Sequence, residues 1–281
     1  MKETISLITG ANSGIGYATA EGLARQGHHV IMVSRNKQRG KAAQQNIITN
    51  TKNSKVDLLV ADLSSQKSIR QLAQQVNERY DKLDVLINNA GGLFSSYTEN
   101  SDGFEQTFAV NYLAPFLLTH LLMDKVRASE KRRIINVASI MQAKQFDLED
   151  AAQPNSAKYT SMNAYKVSKT AVLMMTYYMA EHLSGSGVTV NTLHPGSIYT
   201  PQSARIVPTF LRPLLKLFMQ SPEQGASTSL YLASSDEVSN VSGKFFKSKK
   251  MAQTVPFSYD SAKQKALYDK SIIWTGVNPS D

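Results

Sequence analysis

No cysteine occurs anywhere in the 281 residues. Disulfides, zinc–thiolate sites and a cysteine nucleophile are therefore excluded, and the composition is compatible with a reducing cytoplasm, the compartment expected here. No apolar run approaches the ~20 residues that a membrane-crossing helix needs. Lys2 and Glu3 lead directly into the first apolar run, so no secretory leader is expected. No Pro/Gly/Ser-rich linker and no internal repeat interrupts the chain, which reads as one domain over 1–281 with a substantial core. No nucleic-acid-binding motif is found, and neither a nucleic-acid partner nor a metal site is expected. Negative charge is the scarcer sign: 22 Asp and Glu stand against 31 Lys and Arg, for a net charge of +9. The excess is scattered, apart from Lys131-Arg132-Arg133 and the cluster Lys244, Lys247, Lys249 and Lys250. A solvated basic surface is the plain reading of it, and weak contact with an anionic membrane surface the other.

Of what is present, the stretch Thr9-Gly10-Ala11-Asn12-Ser13-Gly14-Ile15-Gly16 organises the rest. An apolar run, 5–8, precedes it and a helical pattern, 17–26, follows. Strand, glycine turn and helix in that order make a phosphate cradle. Gly10 lets the chain leave the strand tightly, Gly14 lets backbone approach a pyrophosphate, and Gly16 lets helix and strand pack. The helix N-terminus offers N–H groups and a positive dipole end. The spacing is G-x-x-x-G-x-G, which departs from the commoner G-x-G-x-x-G fingerprint.

Strand and helix patterns then alternate. Strands are predicted at 5–9, 29–34, 56–60, 85–88, 133–137 and 189–194, with a short one at 244–246 ending the core. Helices are predicted at 14–26, 36–50, from a cap at Ser64 or Ser65 to Tyr80, over 161–183, and from the Ser221-Pro222-Glu223-Gln224 cap. Asp102 with Glu105 reads as a capping box opening one long helix to about 128. Such alternation predicts a doubly wound parallel α/β sheet with helices on both faces and ligands at the carboxyl ends of the strands.

The strand ends carry the candidate chemistry. After the second strand, Ser34-Arg35-Asn36 lacks the carboxylate that would bind a ribose 2′-hydroxyl. Arg35 offers instead a charged fork suited to a 2′-phosphate, so NADP(H) is expected over NAD(H). Asp62-Leu63 either meets the adenine or serves turn chemistry. Asn88-Asn89-Ala90-Gly91-Gly92 gives small residues where backbone passes a ribose, or asparagines that pin loops. Asn111 is a poor helix former inside a predicted helix, which points to a polar role. Tyr165 and Lys169 lie four residues apart on one helix face. An ammonium beside a phenol favours the phenolate, which suits proton transfer alongside hydride transfer. Ser139, after the fifth strand, can hydrogen-bond the reacting oxygen. With 12 tyrosines and 21 lysines, one Tyr-x-x-x-Lys pair is expected by chance, and a second does occur at Tyr259 and Lys263. Only Tyr165 follows Ser139 and precedes a strand ending in His194-Pro195-Gly196.

Taken in order, these pieces resemble the short-chain dehydrogenase/reductase family over about residues 4 to 250. The resemblance implies a Rossmann-type sheet of about seven strands in the order 3-2-1-4-5-6-7. It implies that Tyr165 is general acid in reduction and base in oxidation, and that Lys169 lowers its pKa and holds the nicotinamide ribose. It also implies that Ser139 orients the substrate and that Asn111 supports a water relay to Lys169. Gly10, Asn12, Ser13, Gly14, Ile15, Gly16, Arg35, Asn36, Asp62 and Leu63 are then cofactor-binding. So are Asn89, Ala90, Gly91, Pro195, Gly196, Ile198 and Thr200. Ser34-Arg35-Asn36, the 146–150 stretch, His194-Pro195-Gly196, the 222–226 stretch and the 242–246 stretch are most similar to the retinol-dehydrogenase-like branch. No membrane anchor of the kind many animal members carry is expected at the beginning of the chain, so a retinoid substrate is not implied. The separation of Ser139 from Tyr165 is longer than usual in the wider family, and the extra loop, 141–160, is expected to border the substrate.

The segment 197–220 is expected to be a substrate lid. Its apolar part, 206–219, is equally readable as a core helix or subunit contact, or as a membrane-surface helix aided by Lys247, Lys249 and Lys250. Residues 251–281 read as a C-terminal extension. Apolar helix faces with Leu117, Leu118, Leu121 and Leu122, and with Leu173, Met174 and Met175, are expected to cover the sheet; the resemblance adds a homodimer contact there. The expected activity is an NADP(H)-dependent oxidoreductase on a lipophilic alcohol or carbonyl. The alternative is an NADP(H)-binding sensor without turnover.

Overall fold

The structure, a computed structural model, describes residues 3–196 and 220–278. The segment 206–219, most of the expected lid, and with it Ile198 and Thr200, lies outside the described residues.

Eight strands form one sheet: β1 Ile5–Thr9, β2 His29–Ser34, β3 Val56–Val60, β4 Val85–Asn88, β5 Arg133–Val137, β6 Thr189–His194, β7 Phe245–Lys247 and β8 Lys250–Ala252. Their order is β3-β2-β1-β4-β5-β6-β7-β8. The first seven run parallel, and β8 returns antiparallel on β7 through a turn whose residues, Ser248 and Lys249, both have positive φ. This edge strand adds an eighth to the seven expected. The inner strands are buried on both faces, so they are nearly continuous apolar runs. Alternation still sorts them. Leu7, Ile31, Leu86 and Ile134 face one core, while Ile8, Met32, Ile87, Ile135 and Leu193 face the other.

The second core is covered by α1 Gly14–Arg25, α2 Lys37–Thr51 and α9 Pro222–Ser234. The first is covered by α3 Gln66–Arg79, the helical stretch 106–127, α8 Ser161–His182 and α10 Ser261–Thr275. Ser65 caps α3 and Ser221 with Gln224 closes a full capping box on α9. A short helix, α7 Leu148–Ala152, lies in the loop before α8.

The predicted long helix from Asp102 is not continuous. It consists of α4 Gln106–Phe108, a π-helical turn Ala109–Leu113, α5 Ala114–Leu121 and α6 Met123–Arg127. Pro115 carries no N–H for the carbonyl of Asn111, and the ladder slips so that the Ala114 N–H donates to Ala109 O. The cap also differs. Glu105 is the N-cap residue, its buried carboxylate accepting the Thr107 and Phe108 N–H groups at 2.8 Å each and the Tyr159 hydroxyl at 3.0 Å. Asp102 instead accepts the Gln66 N–H at 2.9 Å, serving α3 across space.

The C-terminal extension belongs to the core. Besides β8 it supplies α10, which lies across α5 and α8. Tyr112 Oη meets Ser271 Oγ at 2.7 Å, His120 Nε2 meets Tyr268 Oη at 2.7 Å, and Trp274 packs edge-on against Phe108 at 5.9 Å. The apolar faces of α5 and α8 thus meet both the sheet and the chain's own last helix.

Candidate active site

The turn from β1 into α1 has the expected form. Gly10 and Gly14 take φ of 68° and 55°, the left-handed region that side chains disfavour. A Cβ on Gly16 would lie 2.3 Å from Gly10 O, so the close approach of helix and strand needs glycine there. Ser13 occupies the N-cap position of α1, and its side chain makes no capping hydrogen bond. Thr9, which the sequence reading passed over, ties this turn to the loop after β4. Its Oγ1 accepts the N–H groups of Asn89 and Ala90 at 2.9 Å each, and Asn89 Nδ2 donates to Thr9 O at 2.8 Å. Of the two roles open to Asn89, the structure shows the loop-pinning one.

A groove runs along the carboxyl ends of the strands. Gly10, Asn12, Arg35, Asp62, Leu63, Ala90 and Gly91 line it, with Ser34, Phe94 and Val110 adding to its walls. Ser34 is buried and donates to Asn36 O at 3.1 Å, while Arg35 is exposed. Asn36 caps α2 by accepting the Arg39 N–H at 2.9 Å. Asp62 Oδ1 accepts from Ser64 N–H at 2.9 Å and from its hydroxyl at 2.7 Å, so the turn chemistry is present while Asp62 also lines the groove. Ile15 lies in the first turn of α1, and Pro195 and Gly196 follow β6 at the same edge of the sheet, Gly196 with φ 97°. The positive-φ cradle and the groove fit a dinucleotide.

Two of the catalytic candidates, Asn111 and Lys169, lie beside Gly91 of this groove. A Cβ on Gly91 would lie 2.9 Å from Asn111 Oδ1 and 3.3 Å from Lys169 Nζ. Asn111, in the π-helical turn, accepts the Gly92 N–H at 2.9 Å and donates to Gly92 O and Ser168 Oγ at 3.0 Å each. Its side chain is thus spent on fixing the loop after β4, and Lys169 Nζ donates to Val137 O at 2.8 Å. Ser139 Oγ accepts the Met141 N–H at 3.0 Å, and its hydroxyl lies beside Tyr165. The expected lowering of the Tyr165 pKa by Lys169 is not what the structure shows. Burial raises the phenol above its ordinary value, and the Ser139 hydroxyl is what opposes the rise. Burial also depresses the Lys169 ammonium to about 8. Both groups are shielded from water, which disfavours the charged form of each.

The 141–160 loop borders a second pocket between Phe146, Asp150, Pro154, Tyr159 and the first turns of α8 at Ala164 and Val167. The other Tyr-x-x-x-Lys pair serves the tail instead. Tyr259 stacks on Tyr177 at 5.0 Å and Lys263 pairs with Asp260 at 3.0 Å.

Residues 4–209 match the family model for short chain dehydrogenases. The chain belongs to the short-chain dehydrogenase family. It is similar to human retinol dehydrogenase 13, with 39% identity over 96% of this chain and 84% of that protein. It is 35% identical to human polyprenol dehydrogenase over 98% of this chain and 86% of that one. Among solved structures, an uncharacterized Mycobacterium paratuberculosis protein superposes with a TM-score of 0.79 at 28% identity, covering 98% and 94% of the two chains. The short-chain dehydrogenase described here lies in the retinol-dehydrogenase-like branch. It is an oxidoreductase that transfers hydride between a nicotinamide cofactor and an alcohol or carbonyl group of a small molecule.

Proposed function

We propose that this short-chain dehydrogenase uses NADP(H), and that Tyr165 moves the proton while a lipophilic alcohol or carbonyl compound reacts. The observation that carries the reading is the proximity of Ser139 to Tyr165 and of Tyr165 to Lys169, with Lys169 beside Gly91, which lines the groove. The nicotinamide, when bound, accepts or supplies the hydride. The Tyr165 phenol gives its proton to the carbonyl oxygen in reduction and takes it from the hydroxyl in oxidation. The Ser139 hydroxyl donates to the same oxygen as charge grows there. Lys169 supplies a fixed cation at the ribose side, with Asn111 holding the backbone of Gly92 beneath it.

Preference for NADP(H) is supported by the end of β2, where Arg35 lines the groove and Ser34 stands where a carboxylate would repel a 2′-phosphate. The cradle from Gly10 to Gly16 would take the pyrophosphate, Asp62 and Leu63 the adenine, and Ala90, Gly91, Pro195 and Gly196 the nicotinamide half. A lipophilic substrate is supported by three exposed apolar side chains beside the candidates. Ile140 and Met141 follow Ser139, and Met162 lies one turn before Tyr165; they are 49%, 38% and 39% exposed. The names of the relatives point the same way, since retinol and polyprenols are apolar alcohols.

A panel of aldehydes and ketones with NADPH, followed at the nicotinamide absorbance, tests the reading. Wild type consumes NADPH with apolar carbonyls and Tyr165→Phe does not. No consumption with any carbonyl or alcohol would favour a cofactor-binding sensor.

A further inference from the structure

Ser139 begins a loop that two distant parts of the chain hold. From α8, Thr170 Oγ1 accepts the Ala143 N–H at 2.9 Å. From the C-terminal extension, the Val255 N–H donates to Gln142 Oε1 at 2.8 Å, and Gln142 Nε2 donates to Ser139 O at 2.9 Å. Only one orientation of the Gln142 amide makes both bonds, since one end must accept and the other donate. The backbone that supplies Val255 is itself anchored. Thr254 Oγ1 meets Tyr177 Oη at 2.9 Å and Ser258 Oγ at 2.7 Å, the Thr254 N–H donates to Tyr259 Oη at 3.0 Å, and Phe257 packs on Phe146 at 5.1 Å. Val255 also lies beyond the 4–209 span matched by the family model.

We propose that Gln142 is a positioning residue for Ser139, and that through it the 253–259 segment is a working part of the active-site framework. The proposal rests on the reading that Ser139 and Tyr165 face the reacting oxygen. The physical case is one of remaining freedom. Ser139 Oγ already accepts the Met141 N–H at 3.0 Å, which fixes the oxygen relative to its own backbone. Gln142 fixes that backbone by its carbonyl. With both in place, the hydroxyl keeps its one hydrogen for the substrate oxygen beside Tyr165. Without the Gln142 amide, the Ser139 carbonyl and the Val255 N–H turn to water. The Ser139 peptide is then free to rotate, and the hydroxyl loses its aim.

Kinetics of Gln142→Met, Gln142→Glu, Ser139→Ala, the Ser139→Ala/Gln142→Met double variant and Tyr165→Phe test this, using NADPH and one aldehyde that wild type turns over. Gln142→Met is expected to lower kcat about tenfold, the rate equivalent of one lost hydrogen bond. NADPH affinity, read by fluorescence titration, stays at the wild-type value. Gln142→Glu keeps the acceptor for Val255 but cannot donate to Ser139 O, and loses as much as Gln142→Met. In the Ser139→Ala background Gln142→Met costs nothing further, because its effect runs through the missing hydroxyl. A wild-type kcat in Gln142→Met, or an equal loss with and without the Ser139 hydroxyl, would overturn the proposal. If Tyr165→Phe retains wild-type turnover, the reading beneath it fails first, and the proposal with it.

Discussion

The Lys169 ammonium sits 5.8 Å from the centre of the Tyr165 ring, yet its hydrogen bond goes to Val137 O at 2.8 Å. The pair therefore shares a helix face without sharing a proton. In this arrangement the hydroxyl of Ser139, rather than Lys169, opposes the rise that burial imposes on the phenol. Oxidation of an alcohol needs the phenolate, so kcat/KM climbs as pH rises through the Tyr165 pKa. Carbonyl reduction needs the phenol and declines over the same interval. Ser139→Ala is expected to move both limbs to higher pH, besides lowering the rate. Tyr165→Phe is expected to cost about 10²- to 10⁴-fold in kcat. Full pH–rate profiles in both directions read these shifts, and limbs that stay in place in Ser139→Ala would refute the assignment.

Cofactor choice is expected to turn on two residues at the end of β2. Ser34→Asp with Arg35→Ala introduces a carboxylate and removes the guanidinium. The ratio of kcat/KM for NADPH to that for NADH should fall by about 10- to 100-fold or more, the equivalent of ~1.5–3 kcal/mol for a charged contact. An unchanged ratio in that variant would reject the role given to Arg35.

The glycine turn makes a prediction that separates room from conformation. Gly16→Ala would drive its methyl to 2.3 Å from Gly10 O, so the cradle must open. Loss of NADP(H) binding by about 100-fold is expected, since a displacement near 1 Å costs that much at a preorganised site. Gly27, with φ 83°, has no neighbour within 4 Å of an added Cβ. Gly27→Ala is expected to cost about 1–2 kcal/mol of stability for the left-handed backbone and to leave cofactor affinity alone. Calorimetric titration of the two variants distinguishes the effects.

How much of this was legible before the coordinates depends on the range of the forces involved. Six strands were readable to the residue: five are inner strands buried on both faces, and β3, at the edge of the sheet, is a short apolar run closed by Asp62. The phosphate turn was readable because positive φ and close approach both demand glycine. Interactions between segments far apart in the chain were not. Asp102 looked like a cap for the helix it precedes, but it caps α3 through a bond that depends on the tertiary fold. The break in the helix at Asn111 had a local signal, Pro115, four residues on, which the apolar pattern around it masked. Thr9, Glu105 and Gln142 act through hydrogen bonds to partners remote in sequence, and a periodicity reading has no access to those. The tail read only as an extension of the core, whereas its aromatic residues, Phe257, Tyr268 and Trp274, pack inward.

Two histidines make an acid-stability prediction. Burial depresses His28 to about 4, with Lys131 adding to the effect, and burial depresses His194 to about 4, with Lys247 adding. Their unfolded value is about 6.5. Between these values the unfolded chain binds more protons than the folded one, so stability falls as pH is lowered from about 6.5 to 4. Thermal melts across that window should show a falling Tm. The slope should flatten in His28→Gln, whose amide can still meet the Ser6 hydroxyl that His28 Nδ1 contacts at 2.8 Å. Equal slopes in the two proteins would remove His28 from the explanation.

The seating of α10 over α5 and α8 has a practical corollary for anyone shortening this protein. A version ended just after β8 would uncover Tyr112, Phe116 and His120 in one patch, strip the brace from Gln142, and leave Gln66 and Arg70 without the carbonyls of Trp274 and Thr275 that they now reach at 2.9 Å and 2.7 Å. Such a fragment would be sticky and poorly active rather than a minimal enzyme.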